Sequence, residues 1–140
     1  MVFIDTGALL ARYLQNDAHH ARATALWQKV KSQPMFTSNH VIDETLTLLA
    51  RRAGNHFAAD RAENIYASQA LEILYSTRED ELEAIRLLRK YSDQDVSFTD
   101  CVSFVLMKRC RITTAFTFDH HFERAGFRAL AGVYLERHHP

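Results

Sequence analysis

The sequence predicts an α/β protein, a single α/β/α sandwich with a short central parallel sheet. Short apolar runs rich in β-branched and aromatic residues, which are typical of buried strands, alternate with longer segments of helical periodicity. The links between them are short, which argues for a parallel sheet covered by helices on both faces. A chain of 140 residues, 47% of them hydrophobic, is expected to form one domain over residues 1–140 with a sizeable core.

Local composition and breaker residues define the predicted elements. Strands are predicted at residues 2–4, 35–37, 71–75, 113–118 and 127–131, and helices at residues 6–14, 21–31, 41–52, 58–68, 79–91, 98–110 and 121–125. The first strand is an apolar run, and the first helix follows it directly. The second helix carries Ala25, Leu26 and Val30 on one face, and Pro34 breaks it before the second strand.

Capping residues support the helices in the middle of the chain. Ser38 or Asn39 can cap the third helix, and Gly54 can close it. The fourth helix leads to the third strand, which alternates poorly but has a strand-like composition. Thr77 opens the fifth helix, which we therefore expect to begin just after it.

The last third of the chain repeats the alternation of helix and strand. The fifth helix carries an apolar stripe formed by Leu82, Ile85, Leu88 and their neighbours. The sixth helix is apolar nearly all round, so it is expected to be buried. The fourth strand follows, then a helical turn that Gly126 ends, and a short fifth strand. The tail at residues 138–140 is expected to be frayed.

Four acidic residues stand at positions that favour a site. Asp5 and Asp119 each follow a predicted strand, and Glu44 and Asp100 lie near the start of mostly apolar helices. The carboxyl edge of an open α/β sheet is where ligands bind. Clustered carboxylates repel one another by roughly 3 kcal/mol a pair at ~5 Å and an effective dielectric of ~20. A divalent metal would remove that cost and supply chemistry.

Each acid also has a purely structural explanation. Asp5 and Asp119 could cap the helices that follow them, and Ser97 with Asp100 fits a capping box. Glu44 could be a first-turn acid favoured by the helix dipole. Against this, Asp100 heads a very apolar helix with no basic residue in the preceding turn, and an unpaired buried charge is costly. Helix geometry alone does not separate Glu44 from the neighbouring Asp43.

Four short motifs carry a resemblance to a known family. They are residues 5–9 (DTGAL), 39–44 (NHVIDE), 97–101 (SFTDC) and 117–122 (TFDHHF), the last followed by AGF at residues 125–127. In this order they resemble the motifs of PIN-domain nucleases over nearly the whole chain. Cys101 stands where that family more often has alanine, a change that does not touch the acids.

The resemblance implies a metal-dependent ribonuclease of the VapC toxin type that acts on single-stranded RNA. It carries over Asp5, Glu44, Asp100 and Asp119 as catalytic metal ligands, and it singles out the acid that ends the second motif. It also implies a homodimer and a small VapB-like antitoxin as partner. Asp93 is a candidate outer-shell acid, although Asp93 and Asp95 both fit solvated turn residues.

Ligand chemistry agrees with that expectation on separate grounds. Carboxylate oxygens favour Mg²⁺ or Mn²⁺ over zinc, and the chain lacks Cys/His spacing for a zinc site. Three adjacent histidine pairs are interpreted as surface residues, at residues 19–20, 120–121 and 138–139. His120 is also a candidate for contact with the substrate. Thr6, Ser97, Thr99 and Thr117 could orient waters or carboxylates, although hydroxyls at such positions usually cap.

Charge and cysteine content give weaker guidance. Seventeen basic residues balance 17 acidic ones, so no global field steers nucleic acid to the surface, although a local basic rim would suffice. The candidate clusters are Arg51-Arg52, Arg86 with Arg89-Lys90, and Lys108-Arg109-Arg111. Cys101 and Cys110 are expected to be reduced thiols of a cytoplasmic protein. We expect no signal peptide, because Asp5 and Arg12 interrupt any apolar stretch near the start, and the sequence has no apolar run long enough for a membrane span.

Two other functions are compatible with parts of the pattern. A catalytically inactive PIN-like binding module would share the fold, but such a chain is expected to have lost at least one acid. A metal-dependent phosphotransfer enzyme also places an aspartate after its first strand. The phosphatase type needs a second aspartate where this chain has Gly7, and the receiver type needs an acceptor after a central strand that ends here at Tyr75-Ser76.

Overall fold

A five-stranded parallel sheet forms the centre of the computed structural model, which describes residues 1–131. The strands are β1 (Val2–Ile4), β2 (Met35–Ser38), β3 (Leu71–Leu74), β4 (Thr114–Phe116) and β5 (Arg128–Ala129). The helices are α1 (Thr6–Tyr13), α2 (His20–Val30), α3 (Asn39–Ala53), α4 (Asn55–Ala67), α5 (Arg78–Lys90), α6 (Phe98–Arg109) and α7 (His121–Arg124). The predicted α/β fold is confirmed; the predicted fraying of residues 138–140 lies outside the described residues.

The strand order, β3-β2-β1-β4-β5, places a switch point at the middle of the sheet. From β1 the chain moves outward to β2 and β3, then crosses to β4 and moves outward to β5. Because parallel crossovers are right-handed, this reversal puts α1–α4 and α5–α7 on opposite faces of the sheet. The carboxyl ends of β1 and β4 are therefore neighbours beside a crevice where helices do not cover the sheet edge.

Buried aromatic and aliphatic side chains hold the sheet between its helices. Phe3 of β1 pairs in register with Phe36 and Ala115 of the two flanking strands. Phe3, Ile4 and Phe116 have no exposed surface. Fully burying such a side chain contributes roughly 1.5–3 kcal/mol, so the three central residues fix the register of β1 against β4. That register sets the positions of the residues that follow both strands.

Helix α3 begins two residues earlier than the sequence predicts. Ser38 is its N-cap, and the Oγ of Ser38 accepts a hydrogen bond from the backbone N–H of Val41 at 3.0 Å. Gly54 ends the helix with a φ of +91°, a conformation that L side chains rarely adopt. Because the helix starts at Asn39, Glu44 lies beyond the first turn, which contains no acid. The first-turn explanation of Glu44 is therefore wrong.

Two capping boxes of the same geometry begin α5 and α6. Thr77 exchanges hydrogen bonds with Asp80 at 3.1 and 2.9 Å, and Ser97 exchanges them with Asp100 at 3.0 and 3.1 Å. Each box satisfies two backbone N–H groups that a helix start would otherwise leave without a partner. Asp100 therefore does form the capping box with Ser97 that the sequence suggested.

Helix α5 turns its apolar stripe away from the core. Leu82, Ile85 and Leu88 are 50%, 43% and 39% exposed, whereas Ala84 is fully buried against α6. The small alanine lets α5 approach the all-apolar α6 closely, and the partly buried Leu87 packs beside it. The predicted stripe therefore lies on the outer side of the helix. Helix α2 also differs from the prediction, because Ala23 is buried whereas Ala25, which was predicted to lie on the apolar face, is exposed.

The structure also shows the state of the two cysteines and the length of the helices. Cys101 and Cys110 are both free, Cys101 being buried and Cys110 partly buried. None of the helices in residues 1–131 has the length and hydropathy needed to cross a bilayer.

Candidate active site

The four acids singled out in the sequence line one open cleft of about 510 Å³ at the carboxyl edge of the sheet. Asp5 follows β1, Asp119 follows β4, Glu44 comes from α3 and Asp100 from α6. The other lining residues are Thr6, Gly7, Leu10, Leu48, Asp95, Val96, Ser97 and Phe118. The fold thus brings together four carboxylates that are up to 114 positions apart in the chain.

Asp5 is held by a hydroxyl and not by a helix cap. Its side chain makes no capping hydrogen bond to α1, and its Oδ2 accepts a hydrogen bond from the Oγ1 of Thr117 at 2.8 Å. The same hydroxyl oxygen accepts the backbone N–H of Asp119 at 3.0 Å. Thr117 is completely buried, so it ties the ends of β1 and β4 together and fixes the Asp5 carboxylate at the switch point.

Asp119 is oriented by the histidine two residues after it. Its Oδ1 lies 2.6 Å from the Nδ1 of His121 and accepts the backbone N–H of that residue at 2.8 Å. His121 is only 9% exposed, so the interpretation of this histidine as a surface residue is wrong. The neighbouring His120 is exposed, with its ring centroid 4.3 Å from that of His121.

Within residues 1–131, one cluster of three side chains could hold a metal ion, because their possible ligand atoms lie within 4.8 Å of one another. The cluster consists of Asp119, His120 and His121. It overlaps the acidic cleft only at Asp119. Because the Oδ1 of Asp119 and the Nδ1 of His121 are at hydrogen-bond distance, this histidine positions the carboxylate.

Glu44 and Asp43 differ clearly in the folded chain, although the sequence pattern did not distinguish them. Glu44 is partly buried and lines the cleft, whereas Asp43 is exposed and does not. Asp93 and Asp95 are both exposed, as expected for turn residues, and only Asp95 reaches the rim of the cleft. The structure therefore offers no contact that would make Asp93 an outer-shell acid.

Burial and mutual repulsion raise the pKa values of two of the acids. Burial, then the charges of Asp100 and Asp119, raise the pKa of Asp5 to about 7, against the hydrogen bond from Thr117. Burial raises the pKa of Asp100 to about 6, with the charges of Asp119 and Glu44 adding to the rise and hydrogen bonds from Ser97 opposing it. The raised pKa values indicate a cleft that holds more negative charge than it can stabilise alone.

The capping boxes provide an internal control for this conclusion. Burial also acts to raise the pKa of Asp80, but hydrogen bonds from Thr77 and Arg109 outweigh it, and the pKa is lowered. Arg109 donates from Nε and from Nη2 to the two oxygens of Asp80, at 3.1 and 2.9 Å. Asp100 has the same cap but faces carboxylates where Asp80 faces a guanidinium. The same cap therefore carries opposite pKa shifts: burial, with the charges of neighbouring carboxylates adding to it, raises the pKa of Asp100, whereas the contacts with Thr77 and Arg109 outweigh burial at Asp80.

The comparisons with known proteins decide the family. A model of the PIN domain matches residues 2–128. The chain belongs to the PIN-domain family. It is 39% identical over 127 residues to the 23S rRNA-specific endonuclease VapC20 of Mycobacterium tuberculosis, covering 91% of this chain and 95% of that protein. It is 31% identical over 114 residues to a VapC ribonuclease of Archaeoglobus fulgidus, covering 78% of this chain and 71% of that protein.

Solved structures agree with this PIN-domain assignment. The crystal structure of M. tuberculosis VapC20, described as a sarcin-ricin loop cleaving toxin, matches with a TM-score of 0.83 and 35% identity, over 91% of this chain and 96% of that one. The crystal structure of FitAcB from Neisseria gonorrhoeae matches with a TM-score of 0.65 and 15% identity, over 92% and 96% of the two chains. The second match concerns the fold alone.

The donor set of this PIN domain fits a divalent cation. The cleft is lined by carboxylate oxygens, and among the described residues no lysine or arginine lines it to neutralise them. The Oγ1 of Thr6, in a residue 5% exposed at the cleft, has no hydrogen-bond partner within residues 1–131. A buried hydroxyl without a partner is suited to a water of hydration. Oxygen ligands and ordered water are what Mg²⁺ and Mn²⁺ take in proteins.

A larger cavity of the PIN domain lies elsewhere. It measures about 670 Å³, and its walls come from α1, α2 and α4, with Arg12, Trp27 and Arg61 among its lining residues. Since no acidic residue among the described ones lines it, it lacks the groups that metal-dependent hydrolysis needs. The basic clusters noted in the sequence also lie outside the acidic cleft. Three of their members form ion pairs: Arg52 with Asp17, Arg86 with Glu83 and Arg109 with Asp80.

Proposed function

We propose that the protein is a metal-dependent endoribonuclease that hydrolyses phosphodiester bonds in single-stranded RNA and is the toxin of a toxin–antitoxin pair. The observation that carries the proposal is that four carboxylates, two that follow strands and two on helices, line one cleft at the switch point of the sheet. The likeness to relatives named VapC endonuclease and VapC ribonuclease supports the choice of RNA as substrate.

Asp5, Glu44, Asp100 and Asp119 would hold the cation, which we propose to be Mg²⁺ or Mn²⁺. Such an ion lowers the pKa of a water and stabilises negative charge on a phosphate, so that no serine or histidine nucleophile is needed. Burial is the main cause of the raised pKa values of Asp5 and Asp100, and repulsion between the carboxylates adds to it. A bound cation would remove that repulsion and so favour the ionised forms of both acids.

Other residues of the chain hold these ligands in position. Thr117 donates to Asp5, the backbone N–H of Ser97 donates to Asp100, and His121 contacts Asp119. The partners that orient metal ligands typically change metal affinity or activity by about 10–100-fold when they are removed. Thr6 offers its hydroxyl to a water in the cleft. His120 is exposed beside Asp119, and we propose that it contacts a phosphate of the substrate.

The proposal extends to location and partners. We propose that residues 1–140 form one nuclease domain, that it acts in the cytoplasm, and that it forms a homodimer controlled by a VapB-like antitoxin. The support is the likeness to VapC proteins, one of which is described as a toxin. Absence of a gene for a small DNA-binding protein beside this one would contradict the antitoxin part and leave the nuclease part standing.

An activity assay with matched variants tests the nuclease proposal. Cleavage of single-stranded RNA and of a sarcin-ricin loop RNA should require Mg²⁺ or Mn²⁺ and stop with a chelator. Asp5→Asn and Glu44→Gln should each remove nearly all cleavage, because each deletes a charge from the cleft. Asp43→Asn is the control, since Asp43 is exposed next to Glu44 and does not line the cleft. Full cleavage by Asp5→Asn would reject the proposed site.

A further inference from the structure

Helix α1 lines two different cavities of opposite charge. Thr6, Gly7 and Leu10 line the acidic cleft, whereas Arg12 and Tyr13, near the end of the helix, line the cavity of about 670 Å³. We call this second space the basic cavity, because among the described residues it is lined by basic side chains and by no acidic one; the basic residues are Arg12, His20, Lys31 and Arg61. The basic cavity therefore favours anions, whereas the acidic cleft favours cations.

The two arginines of the basic cavity lie with their guanidinium groups over aromatic rings. The Cζ of Arg12 is 3.8 Å from the ring centroid of Trp27 and 5.4 Å from that of Tyr13. The Cζ of Arg61 is 5.0 Å from the ring centroid of Phe57 and 5.9 Å from that of Tyr13. A guanidinium that stacks on a ring is held in orientation, and the N–H groups in its plane can still donate to an oxyanion.

The described part of the chain gives these two guanidinium groups no carboxylate partner. The arginines that form ion pairs within residues 1–131 do not line the basic cavity; they are Arg52, Arg86 and Arg109. The buried Nε of Arg61 has no hydrogen-bond partner within the same residues. Two positive charges beside the ring of Tyr13 also repel each other until an anion neutralises them. An oxyanion is therefore the ligand that this arrangement favours.

Aromatic and apolar surface makes the basic cavity suited to more than a bare anion. Its lining includes the buried side chains of Met35, Ile65 and Leu71 and the exposed amides of Gln15 and Asn64. Side-chain amides pair with the edges of nucleobases, and unstacked bases lie against aromatic rings or guanidinium planes. The cavity volume of about 670 Å³ is within the usual range of sites for small ligands. A nucleotide combines the phosphate and the ring system that this lining favours.

We propose that the basic cavity is a nucleotide-binding site, in which Arg12 and Arg61 hold the phosphate and the base lies against the aromatic and apolar wall. Burial raises the pKa of Tyr13 against the charges of Arg12 and Arg61, so its hydroxyl keeps the proton that it can donate to the phosphate. The nucleotide is either a free mononucleotide or part of an RNA strand, since both present the same groups. The inference goes beyond the proposed nuclease function, because the basic cavity shares no lining residue with the acidic cleft.

The single tryptophan of the chain reports directly on this cavity. Trp27 lines it and carries the guanidinium of Arg12 on its ring, so a ligand that binds Arg12 should change the fluorescence of Trp27. Titration of the full chain with AMP in the presence of a chelator, with excitation where AMP does not absorb, should give a saturable change. Adenosine and inorganic phosphate should each bind more weakly than AMP by roughly tenfold or more, because each lacks half of the contacts. No saturation with AMP, or equally tight binding of adenosine or phosphate, would overturn the proposal.

Matched charge-removing variants test whether the arginines hold the phosphate. Arg61→Gln should weaken AMP binding by roughly tenfold or more, because it removes a charged donor. Arg51→Gln is the control, since Arg51 is exposed on α3 and does not line the basic cavity. Arg12→Lys keeps the charge and loses the planar donor fork, so it should also weaken AMP binding, and it carries the test if Arg61→Gln does not fold. AMP affinities equal to that of Arg51→Gln would overturn the proposal.

A short single-stranded RNA in the same chelator-containing assay identifies the source of the nucleotide. An RNA that binds more tightly than AMP by roughly tenfold or more, and loses that affinity in Arg61→Gln, identifies a strand as the ligand. An RNA that binds no more tightly than AMP identifies a free nucleotide. A polyglutamate peptide that binds as tightly as AMP would show a carboxylate site and overturn the proposal. Because the assay measures no cleavage, its failure would leave the nuclease proposal standing.

Discussion

At the scale of single residues, the sequence predicts which acids lie at the site, but it does not predict which groups they contact in the folded protein. Asp5 and Asp119 could be placed at the sheet edge because the apolar strands before them are easy to recognise. Glu44 could be preferred to Asp43 only through resemblance, since burial depends on which way α3 faces. His121 was missed because two adjacent histidines give no periodic signal. Its burial follows from the turn after β4, which folds the ring back onto Asp119.

The raised pKa values of the acids lead to a prediction about stability and pH. In the unfolded chain Asp5 and Asp100 titrate near 3.8, whereas in the folded, metal-free protein their pKa values are about 7 and about 6. Between these limits the folded protein binds more protons than the unfolded chain. The free energy of unfolding should therefore fall as pH rises from about 4 to about 7, by an amount on the order of a few kcal/mol.

Urea unfolding in the presence of a chelator, at pH 5 and pH 8, measures this change. Asp5→Asn should show a smaller loss of stability than the wild type over the same interval, because the variant cannot ionise there. Asp80 does not affect this comparison. Because its pKa is lowered, the stability that its ionised form contributes is lost only in more acidic solution. Identical pH dependence of stability in the two proteins would contradict a raised pKa of Asp5 in the folded, metal-free protein.

At the scale of elements, breakers and caps predict more than apolar stripes do. Ser38, Thr77 and Gly54 delimit α3 and α5 as expected, because their roles depend only on the local backbone. The stripe of α5 points outward because Ala84 sets how α5 packs on α6, and such packing depends on the partner helix. The last three strands are shorter than predicted. In β4 this is because Thr117 leaves the ladder and donates a hydrogen bond to Asp5.

The two capping boxes allow cap and site to be separated by experiment. Thr77→Ala and Ser97→Ala should each lower the free energy of unfolding by about 0.5–2 kcal/mol, since each removes one capping hydrogen bond. Only Ser97→Ala should also reduce metal-dependent RNA cleavage, by roughly tenfold, because its box positions a carboxylate of the cleft. Equal cleavage by the two variants would mean that the Ser97 side chain contributes to stability alone.

At the scale of the whole molecule, the alternation of strands and helices was enough to predict a parallel sheet with helices on both faces. The order of the strands could not be read in the same way, because pairing of β1 with β4 joins segments more than 100 residues apart. That pairing is what brings Asp5 and Asp119 to one crevice. Without that pairing, the sequence shows four separate acids, for each of which a local structural role could be suggested.

The central claim is that these four carboxylates form one site for a divalent cation, and thermal unfolding with and without Mg²⁺ tests it most directly. Asp100→Asn is the informative variant, because the amide oxygen can still accept the N–H of Ser97 while the charge is lost. The wild type should unfold at a higher temperature with Mg²⁺, gaining about 2.7 kcal/mol at a concentration 100 times its Kd. Asp100→Asn should gain much less, and without metal it should be as stable as the wild type or more so. Equal gains in both proteins, or no gain in the wild type, would contradict the claim.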